Sequence, residues 1–173
     1  MPAISYKEIS QNLKNKIYHP IYFLTGEEPY FIDKITEYIE NDILREEEKD
    51  FNLHILYGRD VSASKILDYA MQLPMLSNYQ VIIIREAQDI SDIESLKNYF
   101  EKPNSSTILV LAYKNKKIDK RKTFFKKIEE NTIFFESKNL DDKQVPQWIE
   151  EYLKTRKYTI TPKSIMLIAE KVG

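Results

Sequence analysis

The residue types in this chain that could handle phosphate cluster in "TGEEPYFID", Thr25 to Asp33, directly after the apolar run "IYFL". A glycine that ends a buried strand and opens a helix is the usual start of a phosphate cradle. The completed pattern is G-x-x-x-x-G-K-[ST]. Its second glycine lets backbone amides wrap the phosphates, its lysine supplies charge and its hydroxyl holds magnesium. Counted from Gly26, those three positions are Phe31, Ile32 and Asp33. Glu27 and Glu28 add negative charge where phosphates would sit, which opposes binding. The dinucleotide pattern G-x-G-x-x-G is absent too. A second apolar run, "YQVIII", ends in Arg85-Glu86, with a cation where an aspartate would coordinate magnesium. Gly26, Ile32, Asp33 and Arg85 therefore mark a degenerate nucleotide site, expected neither to bind nor to hydrolyse nucleotide.

Other chemistry is sparsely provided for. There is no cysteine, which removes disulfides, thiolate catalysis and cysteine-based zinc sites. The two histidines, His19 and His54, have no ligand-spaced companions and read as loop or strand residues. No cofactor or metal is expected. An enzyme working through Glu27, Glu28 and Glu86 remains conceivable on residue type, but no activated nucleophile accompanies them. The segment Tyr113 to Lys127 carries eight Lys/Arg against one Asp, the densest positive cluster in the chain. It reads either as the solvated face of a helix with Ile118, Phe124, Phe125 and Ile128 turned inward, or as a patch for nucleic-acid backbone through Lys114, Lys116, Lys117, Lys120, Arg121 and Lys122.

The elements that must position these residues alternate. Across 173 residues, 42% hydrophobic and 31% charged with a net charge of -1, a sizeable core is expected and no global pull toward nucleic acid or membrane. No run approaches a membrane span and no signal peptide is visible, so a soluble, cytoplasmic protein is expected. Helices are expected over Ser5–Lys16, from Pro29 to Leu44, from Ser62 or Ser64 through the inward-facing Ile66, Leu67, Ala70 and Met71, over Ile93–Phe100, 119–130, Asp141–Thr155 and Thr161–Val172. Strands are expected at Ile21–Gly26, Phe51–Tyr57, "YQVIII", Ser106–Tyr113 and Thr132–Ser137, and "EEEKD" (Glu46–Asp50) reads as a charged loop. Near-continuous apolar strands alternating with helices imply an α/β fold: a three-layer, doubly wound, parallel five-stranded sheet. Residues 1–140 form this domain, and 141–173 are helices leading into a further, truncated domain. The pattern also reads as a boundary near Lys157–Thr161, where a helix begins after the sheet is finished.

"IYFLTGEEPYFIDKITEYI", "MQLPMLSNYQVIIIREA", "STILVLAY" and "DKQVPQWIEEYLK", in that order and spacing, closely resemble the N-terminal part of the delta subunit of the bacterial DNA polymerase III clamp loader. The resemblance runs from about Ile21 to Gly173. It implies an AAA+-type domain that has lost ATPase function, part of the polymerase holoenzyme but not itself catalytic. It implies a role in replication: gripping the ring-shaped sliding clamp (beta) and helping to open it. The implied partners are the ATPase motor subunits, delta prime and, in the full complex, primer-template DNA; no membrane is involved and the isolated chain should be monomeric. The family continues into lid and collar regions, so this chain looks like a fragment. The family's clamp-binding element maps onto Met75 and Leu76, flanked by Leu73.

The residues around that pair suit display. Pro74 biases Leu73 toward extended backbone and helps end the preceding helix, and Ser77-Asn78 supplies turn chemistry before the next strand. Met75 and Leu76 either stand out at one end of the sheet or fold back onto the core. A clamp-opening module, a nucleic-acid-binding domain acting through 114–127 and a carboxylate enzyme are the three readings carried forward.

Overall fold

The computed structural model describes residues 4–115, 118, 124, 125, 128 and 132–172. Within them the chain divides into two compact units, one up to Ser137 and one from Lys138.

The first unit opens with α1 (Tyr6–Lys14), started by Ser5, whose hydroxyl accepts from the Glu8 N–H at 3.2 Å. Its Ile9 and Leu13 are buried. Strand β1 (Ile21–Gly26) leads into α2 (Pro29–Asp42) and then α3 (Glu46–Asn52). Next come β2 (Leu53–Tyr57), α4 (Ala63–Ala70), β3 (Gln80–Arg85), a 3-10 turn at Ile93–Leu96 running into α5 (Lys97–Glu101), β4 (Thr107–Lys114) and β5 (Ile133–Ser137). All four strand pairings are parallel, in the order β2-β3-β4-β1-β5.

Alternation along each strand splits the core in two. Ile82, Ile84, Leu109, Leu111 and Phe23 face α4, α5 and the buried Phe124, Phe125 and Ile128. Val81, Ile83, Val110, Ala112 and Leu24 face Ile9 and Leu13 of α1 and Ile32, Ile35 and Ile39 of α2. Strands covered on both sides need apolar residues at every position, and "VIII" at 81–84 supplies them. The doubly wound α/β sheet expected from the sequence is the observed one.

Several element expectations need correcting. "EEEKD" is not a loop but the body of α3. Glu46, Glu47 and Glu48 occupy its first turn, where acidic charge complements the helix dipole. Glu48 accepts from the Arg45 backbone N–H and side chain, both at 2.9 Å, and Lys49 pairs with Glu46 at 2.6 Å. The second strand accordingly starts at Leu53 rather than Phe51. Met71 does not face inward: α4 stops at Ala70, the chain turns, and Met71 is exposed. Ser62, not Ser64, caps α4, accepting from the Lys65 N–H at 3.3 Å. The expected basic helix lies largely outside the described residues, although Phe124, Phe125 and Ile128 are buried as its inward face required.

The second unit contains α6 (Val145–Thr155) and α7 (Pro162–Val172), joined by the turn around Lys157, whose φ is 61°. The break in the chain thus falls at Ser137–Lys138, while 157–161 is an internal turn of this unit.

Candidate functional site

A parallel sheet has two unlike rims, one carrying the strand starts and one the strand ends. The residues singled out in the sequence separate between them. Met71–Tyr79 connects α4 to the start of β3, whereas Gly26, Arg85 and Lys114 sit where strands end. About five residues of strand, roughly 17 Å, lie between the rims.

At the strand-start rim, four large apolar side chains stand in solvent within six residues. Leu76 is 91% exposed, Leu73 80%, Met71 67% and Met75 56%. Met75 and Leu76 are therefore displayed, not folded back onto the core. The chain is anchored on both sides of them. The C-terminus of α4 leaves carbonyls without helical partners, and side chains from the neighbouring strands fill the gap. Gln80 donates to the Tyr69 carbonyl at 2.6 Å and Thr107 to that of Ala70 at 3.0 Å. Under the loop lies Asn52, fully buried at the end of α3. Its amide donates to the Met75 carbonyl at 2.9 Å while its oxygen accepts from the Met75 N–H at 2.7 Å. Sequence reading missed Asn52, because nothing local to 51–57 signals a partner 23 residues away.

Leu76 has φ of 53°, a left-handed conformation unusual for any residue with a side chain as large as leucine. Downstream, the Ser77 hydroxyl accepts from the Tyr79 N–H at 3.4 Å and lies beside the Glu48 carboxylate. That carboxylate lies below the usual range, chiefly because of Arg45's side-chain and backbone hydrogen bonds, with Ser77 a smaller contributor. Helix α3 thus holds the loop through Asn52, and its Glu48 lines the same shallow hollow as Ser77 and Asn78.

At the strand-end rim, the degenerate cradle is occupied by the protein's own groups. Gly26 has φ of 135°, and a Cβ there would lie 1.9 Å from the Ser137 carbonyl oxygen. The Glu27 N–H donates to that same carbonyl at 3.1 Å. Glu28 caps α2, its carboxylate accepting from the Tyr30 N–H at 2.8 Å. Ile32 is buried in the core. Asp33 forms an ion pair with Lys114 of β4, and the Lys114 N–H donates to Gln88 at 2.9 Å. Arg85 pairs with Glu40 of α2 at 2.7 Å. The four residues of the degenerate site are thus committed to close backbone packing, core burial or internal pairing. Glu86, at the end of β3, has φ of 54°. Among the described residues no three His, Cys, Asp or Glu side chains converge as a metal site would require.

Of the basic segment, Lys114 is already engaged with Asp33, and Lys116, Lys117, Lys120, Arg121 and Lys122 lie outside the described residues. No helix among the described residues is long and apolar enough to cross a membrane.

Five parallel strands in this order, helices on both faces and a strand–turn–helix after β1 define a doubly wound domain with the layout of a nucleotide-binding fold. The chain belongs to the family DNA polymerase III, delta subunit, whose model matches residues 22–155. DNA polymerase III subunit delta of Bacillus subtilis (strain 168) is 23% identical over 163 residues, covering 88% of this chain and 47% of that protein. The chain therefore spans about half of that relative's length. Among solved structures, the Bacillus subtilis DNA clamp loader delta protein superposes with a TM-score of 0.77 at 22% identity, over 96% of this chain and 56% of the other. A DNA polymerase III gamma subunit-related protein from Thermotoga maritima gives 0.51 at 13% identity, over 86% and 50% respectively. Likenesses at these identities speak for the fold.

Proposed function

We propose that this chain is the clamp-gripping portion of a replication clamp loader. Leu73, Met75 and Leu76 enter an apolar pocket on the ring-shaped sliding clamp, and that contact helps the ring open for loading onto primed DNA. The observation that carries the reading is the exposed apolar cluster on an anchored loop, in a chain of the delta family. Burying one such side chain is worth roughly 1.5–3 kcal/mol, so two or three make an adequate hot spot before orientation costs. Methionine adapts to a shallow pocket better than a branched residue does.

The chain contributes no ATP hydrolysis of its own. Support comes from the strand-end rim, where Glu28 takes the helix-start amide and Lys114 is paired with Asp33. The ATPase motor subunits, delta prime and primer-template DNA are then its further partners in a cytoplasmic assembly. The rival reading, backbone binding to nucleic acid through 114–127, has its one described lysine committed to an internal pair.

The deciding experiment measures binding to the sliding clamp of the same organism. Leu76→Asp should weaken it by roughly tenfold or more, the worth of one buried leucine. Its melting temperature should stay close to that of the parent chain, because the side chain is 91% exposed. A fall in stability that tracks the fall in binding would instead assign Leu76 to the core.

A further inference from the structure

We infer that Asn52 is the positioning residue of this contact, holding the loop in its binding-ready shape before any partner arrives; the inference rests on the clamp reading above. The Asn52 amide spends both N–H groups, one on the Glu48 carbonyl and one on the Met75 carbonyl, each at 2.9 Å. Its oxygen takes the Met75 N–H at 2.7 Å. Two donors and an acceptor on so short a side chain are available only from asparagine; aspartate lacks the donors and leucine lacks everything polar. The contact gives Met75 the two hydrogen bonds that a neighbouring strand would give it. The residue next in sequence is the one in the left-handed region, Leu76.

A leucine holds that conformation only where its surroundings over-determine it. Asn52 fixes the backbone on one side of Leu76, and on the other the Ser77 hydroxyl accepts from the Tyr79 N–H at 3.4 Å. Met75 and Leu76 are thereby kept from collapsing onto nearby apolar surface. The clamp meets a preformed projection, and the ordering cost of binding is already met by folding.

The test compares Asn52→Ala, Leu76→Asp and the parent 173-residue chain by clamp affinity, amide hydrogen exchange and melting temperature. In Asn52→Ala the Met75 amide should exchange roughly tenfold faster or more while the Val81–Ile84 amides stay protected. Clamp affinity should fall about tenfold, as for a binding-competent state populated about one time in ten. Unchanged affinity in Asn52→Ala, with the Met75 amide deprotected, would overturn the inference; so would unchanged Met75 exchange. Full clamp affinity in Leu76→Asp would instead sink the clamp reading itself. If Asn52→Ala fails to fold, the parent chain still decides. Its Met75 amide and Asn52 side-chain amide protons should exchange as slowly as core amides, and exchange at open-loop rates would refute the role.

Discussion

Leu76 is 91% exposed and sits at φ of 53°, so it burdens the folded chain twice, as an apolar group in water and as a bulky residue in the left-handed region. Neither feature stabilises the domain, which makes the position one where binding and stability can be pulled apart. Leu76→Gly removes the steric penalty of the left-handed backbone, about 1 kcal/mol, against which glycine's greater unfolded freedom offsets a part. The variant should unfold at an equal or higher denaturant concentration than the parent while losing clamp affinity. A clear loss of stability would mean that the leucine side chain packs inward in solution. The degenerate cradle at Gly26–Asp33 was legible residue by residue, since a motif is a matter of identity and spacing. What the missing motif left behind was not: Lys114 and Asp33 are 81 residues apart in the chain, and their meeting depends on β1 and β4 lying side by side.

Among the elements, the strands were the easiest to read, because a parallel sheet covered on both faces writes itself as unbroken apolar runs. Helix α3 was hidden by its charge. The order of signs in Arg45-Glu46-Glu47-Glu48-Lys49, acid in the first turn and base after it, is a helix-start pattern that outweighs the look of a solvated loop. Missing α3 meant missing Asn52, and with it the support beneath the display loop. Helix α4 leads into that loop and begins at Ser62, whose hydroxyl takes the Lys65 N–H at 3.3 Å. Ser62→Ala should cost about 1 kcal/mol, seen as a lower urea midpoint at an unchanged slope, because one helix-start amide loses its partner. Clamp affinity should survive the change, since the far end of α4 is held separately by Gln80 and Thr107.

For the molecule as a whole, stability should depend on pH through its two histidines. Burial holds both His19 and His54 below the ordinary imidazole value of 6.5. His54 lies against Tyr69 with ring centroids 4.5 Å apart, and its Nε2 is buried without a hydrogen-bond partner. The unfolded chain therefore takes up protons first as pH falls. The stability conferred by neutral imidazoles is complete above the unfolded pKa and is lost as pH drops through the folded values. Melting temperature should hold steady above about pH 7 and decline toward about pH 5.5. His54→Phe, which keeps the ring contact and cannot titrate, should flatten that decline; an unchanged profile would exclude His54 as a source. The chain divides at Ser137–Lys138, and a change from sheet to helices blurs in sequence where connecting segments are polar on both sides.

The separation of the two rims has a practical side. With no cysteine in the chain, one thiol introduced at Arg59, exposed just past the end of β2, becomes a unique chemical handle. Coupled through that handle to a sensor chip or a dye, the domain would be attached by its strand-end side, roughly a strand's length of about 17 Å from the apolar loop. Oriented immobilisation would then leave Leu73, Met75 and Leu76 facing the flow, so a weak signal could not be blamed on a blocked surface.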